Sequence, residues 1–294
     1  METVTGGTMN SGSDAPASEA PRDLEPPPEI SVILPAHNEI MLVGSTITNL
    51  VSGLERRRRS FEIVVVENGS TDGTLRLVRL LAAQLPHVRV LSLAASDYGA
   101  ALAAGFRDAL GALIVSFDVD YYDLSFFDAA LRLLDSGEAD LVLASKRAPG
   151  ARDRRPLLRR LLTAGFAFAL HRVLDLPVSD PHGMKALSAS AVVPLIEETA
   201  LRGSLFDVEL VARADRAGLA LRELPVAVRE LRPPRTSVAR RTVEAAVGLV
   251  RLRLLLGRAD GSEHGEPKHR GRVRRAQEGE GPRRGGRGSE PAET

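Results

Sequence analysis

The chain has 294 residues, no cysteine, and 39 basic against 38 acidic side chains. Without a thiol it is neither a disulfide scaffold, nor a zinc finger, nor a cysteine-dependent enzyme. A net charge of +1 with 4% aromatic residues also excludes a dedicated nucleic-acid binder, which needs a basic excess and stacking rings, so no specific nucleic-acid partner is expected.

The near-neutral total averages unlike regions. Residues 1–29 carry six acids and one base, whereas residues 258–294 carry nine bases and seven acids. Both stretches are rich in Pro, Gly, Ser or charge and poor in apolar residues. Neither buries enough surface to offset the entropy of ordering, so both are expected to be disordered tails around a folded domain at 30–257. The first lacks the basic-then-apolar pattern of a signal peptide, and no stretch approaches ~18 apolar residues, so no membrane span is expected. Only Lys146, Lys185 and Lys268 are lysine; the excess of arginine matches the codon bias of a GC-rich bacterial genome.

Residues 30–35 (I-S-V-I-L-P) predict a first strand ended by proline. A pattern over 45–55 predicts a helix, and 61–66 (F-E-I-V-V-V) predicts a second strand, apolar enough to be buried on both faces. Ser70-Thr71-Asp72 marks a helix start, with the helix running over 72–84. A strand over 88–93, a helix over 98–110, a strand over 112–117, a helix over 124–135 and a strand over 140–144 follow. Repeated βα units of this length predict an α/β, doubly wound, mostly parallel sheet with helices on both faces. Past residue 145 the alternation breaks down into a long apolar helix over 156–174, a short strand, two helices and a strand over 220–228.

In such a sheet, ligands bind outside the carboxyl ends of the strands, where strand order reverses. Three polar clusters follow strands here: His37-Asn38-Glu39, Glu67-Asn68-Gly69-Ser70 and Asp118-Val119-Asp120. They are expected to converge on one rim. Asp118 and Asp120 present hard oxygen ligands suited to Mg²⁺ or Mn²⁺, and a metal there would neutralise a diphosphate leaving group.

I-S-V-I-L-P-A-H-N-E, V-V-V-E-N-G-S-T-D-G-T, Y-G-A-A-L-A-A-G-F and F-D-V-D, in this order, resemble glycosyltransferase family 2, which has the nucleotide-diphospho-sugar-binding GT-A fold. Residues 144–150 (A-S-K-R-A-P-G) and 180–185 (D-P-H-G-M-K) resemble segments of its dolichol-phosphate mannosyltransferase branch. L-F-D-V-E-L and E-L-P-V resemble its closing motifs. The resemblance spans about residues 30–240. It implies that Pro35, Ala36 and Glu39 contact the nucleotide, and that Glu67, with Asn68 beside it, reads base or ribose. Asp118 and Asp120 would hold the metal on the donor diphosphate, Lys146 and Arg147 would lie near the phosphates, and Asp180 and Lys185 at the acceptor side. Glu209 is expected to be structural.

Departures from the family pattern point to a subgroup with its own substrate. Glu67-Asn68 replaces Asp-Asp, and Tyr122 replaces a side chain that helps bind metal, leaving Asp123 or water to complete the sphere. Lys146 replaces an arginine fork by a point charge, and His182 replaces serine. A phosphate acceptor needs cations rather than a base. Arg152, Arg154, Arg155, Arg159 and Arg160 join Lys146 and Arg147 within fifteen positions, ahead of an apolar helix able to lie in a membrane interface. A sugar passed from a nucleotide-sugar donor to a polyprenyl phosphate, in the cytoplasm and peripherally at the inner face of the plasma membrane, is therefore the leading expectation. Two alternatives stay open: a hydroxyl acceptor (glycan or small metabolite) with Asp180 as base, and a non-catalytic nucleotide-sugar-binding protein.

Overall fold

The structure is a computed structural model and describes residues 17–18, 26–153, 165, 168, 171–203, 205–228, 248 and 251–254. Its elements run β1 (Ala17–Ser18), β2 (Ile30–Ala36), α1 (Val43–Glu55), β3 (Phe61–Asn68), α2 (Thr74–Gln84), β4 (Val88–Leu93), α3 (Tyr98–Asp108), β5 (Leu113–Ser116) and α4 (Leu124–Asp135). There follow β6 (Leu141–Ser145), β7 (Arg152–Asp153), β8 (Lys185–Ser188), α5 (Ala189–Ile196), α6 (Leu205–Arg216), β9 (Leu221–Pro225) and β10 (Ala227–Val228). An eight-stranded sheet has the order β1-β4-β3-β2-β5-β8-β6-β9, and β10 pairs with β7 separately. Strands β4, β3, β2 and β5 are parallel to one another, and β6 is parallel to β9. Strand β8 runs antiparallel between β5 and β6, and β1 pairs antiparallel with β4.

The predicted doubly wound sheet is present. Successive residues of β2 and β3 feed opposite cores, as the period of two requires. Val32, Leu34, Ile63 and Val65 pack with Val78 and Phe126 on one face, while Ile33, Val64 and Val66 pack with Phe106 and Phe206 on the other. Chain order reverses at β2, which has β3 on one side and β5 on the other. The crevice that ligands favour therefore opens between the ends of β2 and β5.

Some boundaries move, for reasons visible in the hydrogen bonds. Strand β3 runs on through Glu67 and Asn68, which pair with Ser92 and Leu93 of β4, so the expected turn starts only at Gly69, whose φ of +64° suits glycine. Asp72 does not begin α2. Its Oδ1 accepts from the amide and hydroxyl of Thr74 at 3.0 and 2.5 Å, and Gly73 at φ 91° precedes the helix. Helix α3 stops at Asp108. Beyond it, the amides of Leu110 and Gly111 donate to Glu62 Oε1 and Ser31 Oγ, each at 2.8 Å.

Those last bonds belong to a buried network at the opposite rim from the crevice. Glu62, 0% exposed, takes Ser31 Oγ and Arg89 Nε at 2.6 Å each, and Arg89 reaches Asp108 Oδ2 at 2.6 Å. One acid thereby ties β2, β3, β4 and the end of α3.

The helix expected over 156–174 lies largely outside the described residues, although residues 165, 168 and 171–174 are helical. Arg154, Arg155, Arg159 and Arg160 also fall outside them, as do most of 1–29 and all of 258–294. Among the described residues, no helix is long and apolar enough to cross a membrane.

Candidate active site

The three polar clusters do share one rim. The loop after β2 and the loop after β3 are knitted together. Asn38, at φ +54°, donates its amide to Ser70 Oγ at 2.9 Å and accepts from Thr71 N at 2.8 Å. The Glu39 amide reaches Thr74 Oγ1 at 2.9 Å. His37 Nδ1 lies 2.7 Å from the carbonyl oxygen of Asn68.

Pro35 and Ala36 form the enclosed last rungs of β2, paired with Val66 and Glu67. Glu67 is 2% exposed. Its oxygens accept from Ser70 N at 2.5 Å and Ser92 Oγ at 3.0 Å, so the carboxylate shapes the turn after β3. Asn68 Oδ1 accepts from Asp97 N at 2.8 Å, and Asp97 in turn caps α3 by accepting from Ala100 N. The amide side chain thus anchors α3, a job that sequence alone did not reveal.

Across the switch point, Asp118 follows β5 in a tight turn closed by reciprocal backbone bonds with Tyr121, each 3.1 Å. Thr46 of α1 holds that turn through Val119 O at 2.7 Å. Asp118 is half-buried and Asp120 exposed. Burial and the neighbouring charge of Asp120 push the Asp118 carboxyl from 3.8 up to about 6, against the opposing pull of Lys185 and a hydrogen bond from Tyr98. The Tyr98 hydroxyl donates to Asp118 Oδ1 at 3.2 Å. Burial and the same acid hold that phenol well above its ordinary range.

A concentration of negative charge with too little local compensation fits a hard divalent cation. Among the described residues, no group of three His, Cys, Asp or Glu side chains is placed to enclose a metal. Asp118 and Asp120 therefore fit a metal as a two-carboxylate ledge, with remaining positions left to ligand oxygens and water. Asp123 does not join them. Its Oδ1 caps α4 by accepting from Ser125 N at 2.8 Å and Phe126 N at 3.3 Å. Tyr122 packs its ring 6.3 Å from that of Phe117. Of the two options for completing the metal sphere, Asp123 is engaged through Oδ1 as the cap of α4, which favours water.

The far side of the rim is built by β6 and β8. Lys185 lies abreast of Ser116 on β5 and Leu143 on β6, so it stands at the site end of the sheet. Yet its side chain is 0% exposed, with Nζ 2.8 Å from Gly183 O and 2.9 Å from Asp207 Oδ1. Burial alone would raise the Asp207 carboxyl; Lys185 and then His182 outweigh it and hold it below its ordinary value. An ammonium enclosed and neutralised in this way is a counter-charge beneath Asp118, not a surface contact for an acceptor.

Lys146, 21% exposed, and the exposed Arg147 follow β6. Asp180 is 4% exposed; its Oδ1 accepts from His182 N at 3.3 Å, and its Oδ2 lies 3.8 Å from Lys146 Nζ. Glu223 of β9 fixes that loop by accepting from Ser179 N, Ser179 Oγ and Asp180 N at 2.8, 2.8 and 3.1 Å. Glu209, 0% exposed, accepts from the amides of Ala200 and Leu201 and pairs with Arg213 at 2.8 Å. It is structural, as expected. The positioning roles of Tyr98, Asp207 and Glu223 escape a sequence reading, although each residue lies inside a family-like motif.

A sheet reversed at its first long strand, an inserted antiparallel strand, and a paired-acid turn beside the switch point define an enzyme of the nucleotide-diphospho-sugar transferase (GT-A) fold. Solved structures agree on the fold. Glucosyl-3-phosphoglycerate synthase from Mycobacterium tuberculosis, in complex with Mn²⁺, UDP-glucose and phosphoglyceric acid, superposes with a TM-score of 0.58 at 24% identity, covering 78% of this chain and 80% of that one. Mannosyl-3-phosphoglycerate synthase from Rubrobacter xylanophilus superposes at 0.61 with 19% identity, over 82% and 77%.

The chain belongs to glycosyl transferase family 2, whose family model matches residues 31–192, and it is a glycosyltransferase. Glycosyltransferase AglD of Haloferax volcanii is 31% identical over 206 residues, which is 67% of this chain but 32% of that protein; the chain thus spans about a third of that relative's length. Dolichyl-phosphate beta-glucosyltransferases from Dictyostelium discoideum and Saccharomyces cerevisiae are 23% and 24% identical, each over 78% of this chain and 75% of its own length.

Proposed function

We propose that this glycosyltransferase passes a hexose, with inversion, from a nucleotide-sugar donor of the GDP-mannose or UDP-glucose type to a polyprenyl phosphate. The observation that carries the reading is the charge layout of the rim. An acid ledge, Asp118 and Asp120, stands at the end of β5, and two cations, Lys146 and Arg147, follow β6, with only β8 between those strands. Two strand spacings are roughly 9–10 Å. A hexosyl phosphate fits in that gap, with a diphosphate toward the acids and a second phosphate toward the cations. The relatives named for dolichyl phosphate support the choice of acceptor.

On this reading Asp118 and Asp120 hold Mg²⁺ or Mn²⁺, which when bound neutralises the departing diphosphate. Pro35, Ala36, Glu39, Glu67 and Asn68 border the nucleotide. Arg147 faces the acceptor phosphate, which arrives ionised and needs no base, and Lys146 lies between the two phosphates. Lys185 keeps Asp118 from carrying its full repulsion. The folded domain is taken as 30–257, working in the cytoplasm at a membrane surface because its acceptor is a lipid.

A hydroxyl acceptor is the second reading, favoured by the buried carboxylate of Asp180, 3.8 Å from Lys146. Incubating the protein with Mn²⁺, labelled GDP-mannose or UDP-glucose, and a polyprenyl phosphate in detergent tests the choice. Label should enter an organic-soluble product released by mild acid. Transfer to a water-soluble alcohol or phosphoglycerate instead, with none to the lipid, would overturn the reading.

A further inference from the structure

Asp180 is held from every side except one. Glu223 fixes its amide, Ser179 is tied both to Glu223 and to Ser145 Oγ at 2.8 Å, and Asp180 Oδ1 takes the His182 amide. The other oxygen, Oδ2, is buried and has no hydrogen-bond partner. Its nearest cation, Lys146 Nζ, stops at 3.8 Å, too far for a hydrogen bond, and makes none with any described residue. Two opposite charges are thus brought side by side and left incompletely satisfied. Buried polar atoms are rarely left so, and a rigid loop that imposes the arrangement marks a place where a ligand supplies the missing partners.

The chemistry of the two groups says which ligand. An ionised carboxylate oxygen only accepts, so it needs an O–H or N–H; an ammonium only donates, so it needs an anion. A fully ionised polyprenyl phosphate has no hydroxyl to offer and would repel Asp180. A hexosyl phosphate carries both groups a few ångströms apart. The turn that bears Asp180 precedes β8, whose first residue lies abreast of Ser116, two residues before Asp118. The pair therefore sits at the same end of the sheet as the acid ledge.

We infer that Asp180 and Lys146 form a two-point reader for the donor's hexosyl phosphate, Asp180 Oδ2 accepting from a hexose hydroxyl while Lys146 takes a phosphate oxygen. This rests on the functional reading above but reassigns Asp180 from the acceptor to the donor sugar. It makes Asp180 the residue that sets which hexose is used.

Calorimetry with Mn²⁺ tests it, using the nucleoside diphosphate, the nucleotide-sugar, and monodeoxy forms of that sugar. For the unmodified protein, one particular deoxy donor should bind about tenfold more weakly than its parent, the usual worth of a hydrogen bond to a charged group. In Asp180→Ala, that donor and its parent should bind alike, while affinity for the nucleoside diphosphate is unchanged. Lys146→Met should weaken nucleoside diphosphate and nucleotide-sugar together. Asp180→Asn removes the under-satisfied charge but keeps the shape and an acceptor oxygen, so it should unfold at or above the temperature of the unmodified protein and retain part of the discrimination. An unchanged unfolding temperature for Asp180→Ala shows that the discrimination lost there is not a folding defect. If every deoxy donor loses the same factor with and without Asp180, the reader is refuted. Dependence on a hydroxyl of the acceptor instead refutes it too, in favour of a base. Failure of the unmodified protein to bind any nucleotide-sugar would sink the functional reading itself, and the reader with it.

Discussion

Asp118→Asn should make the metal-free protein more stable at neutral pH while abolishing transfer. The side chain is half-buried beside Asp120, and its carboxyl is raised from 3.8 to about 6. Below the lower value the acid is protonated whether folded or not, and it costs nothing. Between the two values the folded state binds the extra proton, so stability falls as pH rises, and above about 6 the loss is complete. Two units at 1.36 kcal/mol each amount to about 3 kcal/mol, which for a domain of this size is roughly 6–12 °C in melting temperature. Asparagine keeps an oxygen for the Tyr98 hydroxyl and carries no charge, so its melting temperature should stay nearly level across that window. Thermal unfolding in EDTA at half-unit steps from pH 4 to 7.5 gives both curves. They should converge near pH 4 and diverge toward pH 7. Curves that run parallel would refute the claim that Asp118 is held at an energetic cost, and with it the electrostatic case for a cation at that ledge.

EDTA should abolish transfer and Mn²⁺ or Mg²⁺ restore it, whereas Ca²⁺ or no addition leaves it lost; activity undiminished after exhaustive chelation would rule out the metal. Asp123→Ala should cost about 1 kcal/mol, the usual worth of an N-cap, with the metal affinity seen by calorimetry unchanged. A large fall in metal affinity would return Asp123 to the coordination sphere. Arg89→Leu strands the buried carboxylate of Glu62 and should cost about 3–5 kcal/mol in urea unfolding. Adding Glu62→Gln should recover part of that, because glutamine keeps an acceptor for Ser31 and Leu110 without the charge. No recovery would mean that the arginine acts through packing alone.

The fold is legible in the sequence because its determinants are local. The apolar run over 61–66 has no stable place except between two layers, and four βα repeats leave few ways to arrange a sheet. The rim is legible for the same reason, since residues that follow parallel strands must share an edge. Strand β8 is not. Lys185–Ser188 is a four-residue strand held by two long-range pairings, with β5 and with β6, and neither partner is near it in sequence. Glu67 and Asn68 resemble turn residues because polar side chains beside a glycine usually are. They remain in the strand because β4 extends far enough to pair with them.

The two lysines of the folded region show where motif reading stops. Both lie in segments that match the family, and by type each is equally suited to meet a phosphate. Lys185 lies abreast of Leu143, three residues deeper in the sheet than Lys146, and that depth separates their fates. Lys146 is the first residue past β6, and its ammonium lies 3.8 Å from Asp180 Oδ2 with 21% of the side chain exposed. Lys185 begins β8, between two strands, where its side chain is enclosed entirely and must bring its own anion with it. That anion is Asp207 from α6, twenty-two positions along the chain and recognisable only once the helix is packed. A charge in a motif therefore identifies the neighbourhood of a site. Which element flanks it decides how far the charge is buried, and the pairing of β8 on both sides encloses Lys185. Loss of its ammonium in Lys185→Met would leave Asp207 buried without its principal counter-charge, so the first effect should be on stability, on the order of 3–5 kcal/mol. Lys146→Met should leave the urea midpoint nearly unchanged and weaken phosphate binding. The reverse pattern, a stable Lys185→Met with lost phosphate affinity, would show that Lys185 swings out to the ligand and that its burial in the free protein is not its working state.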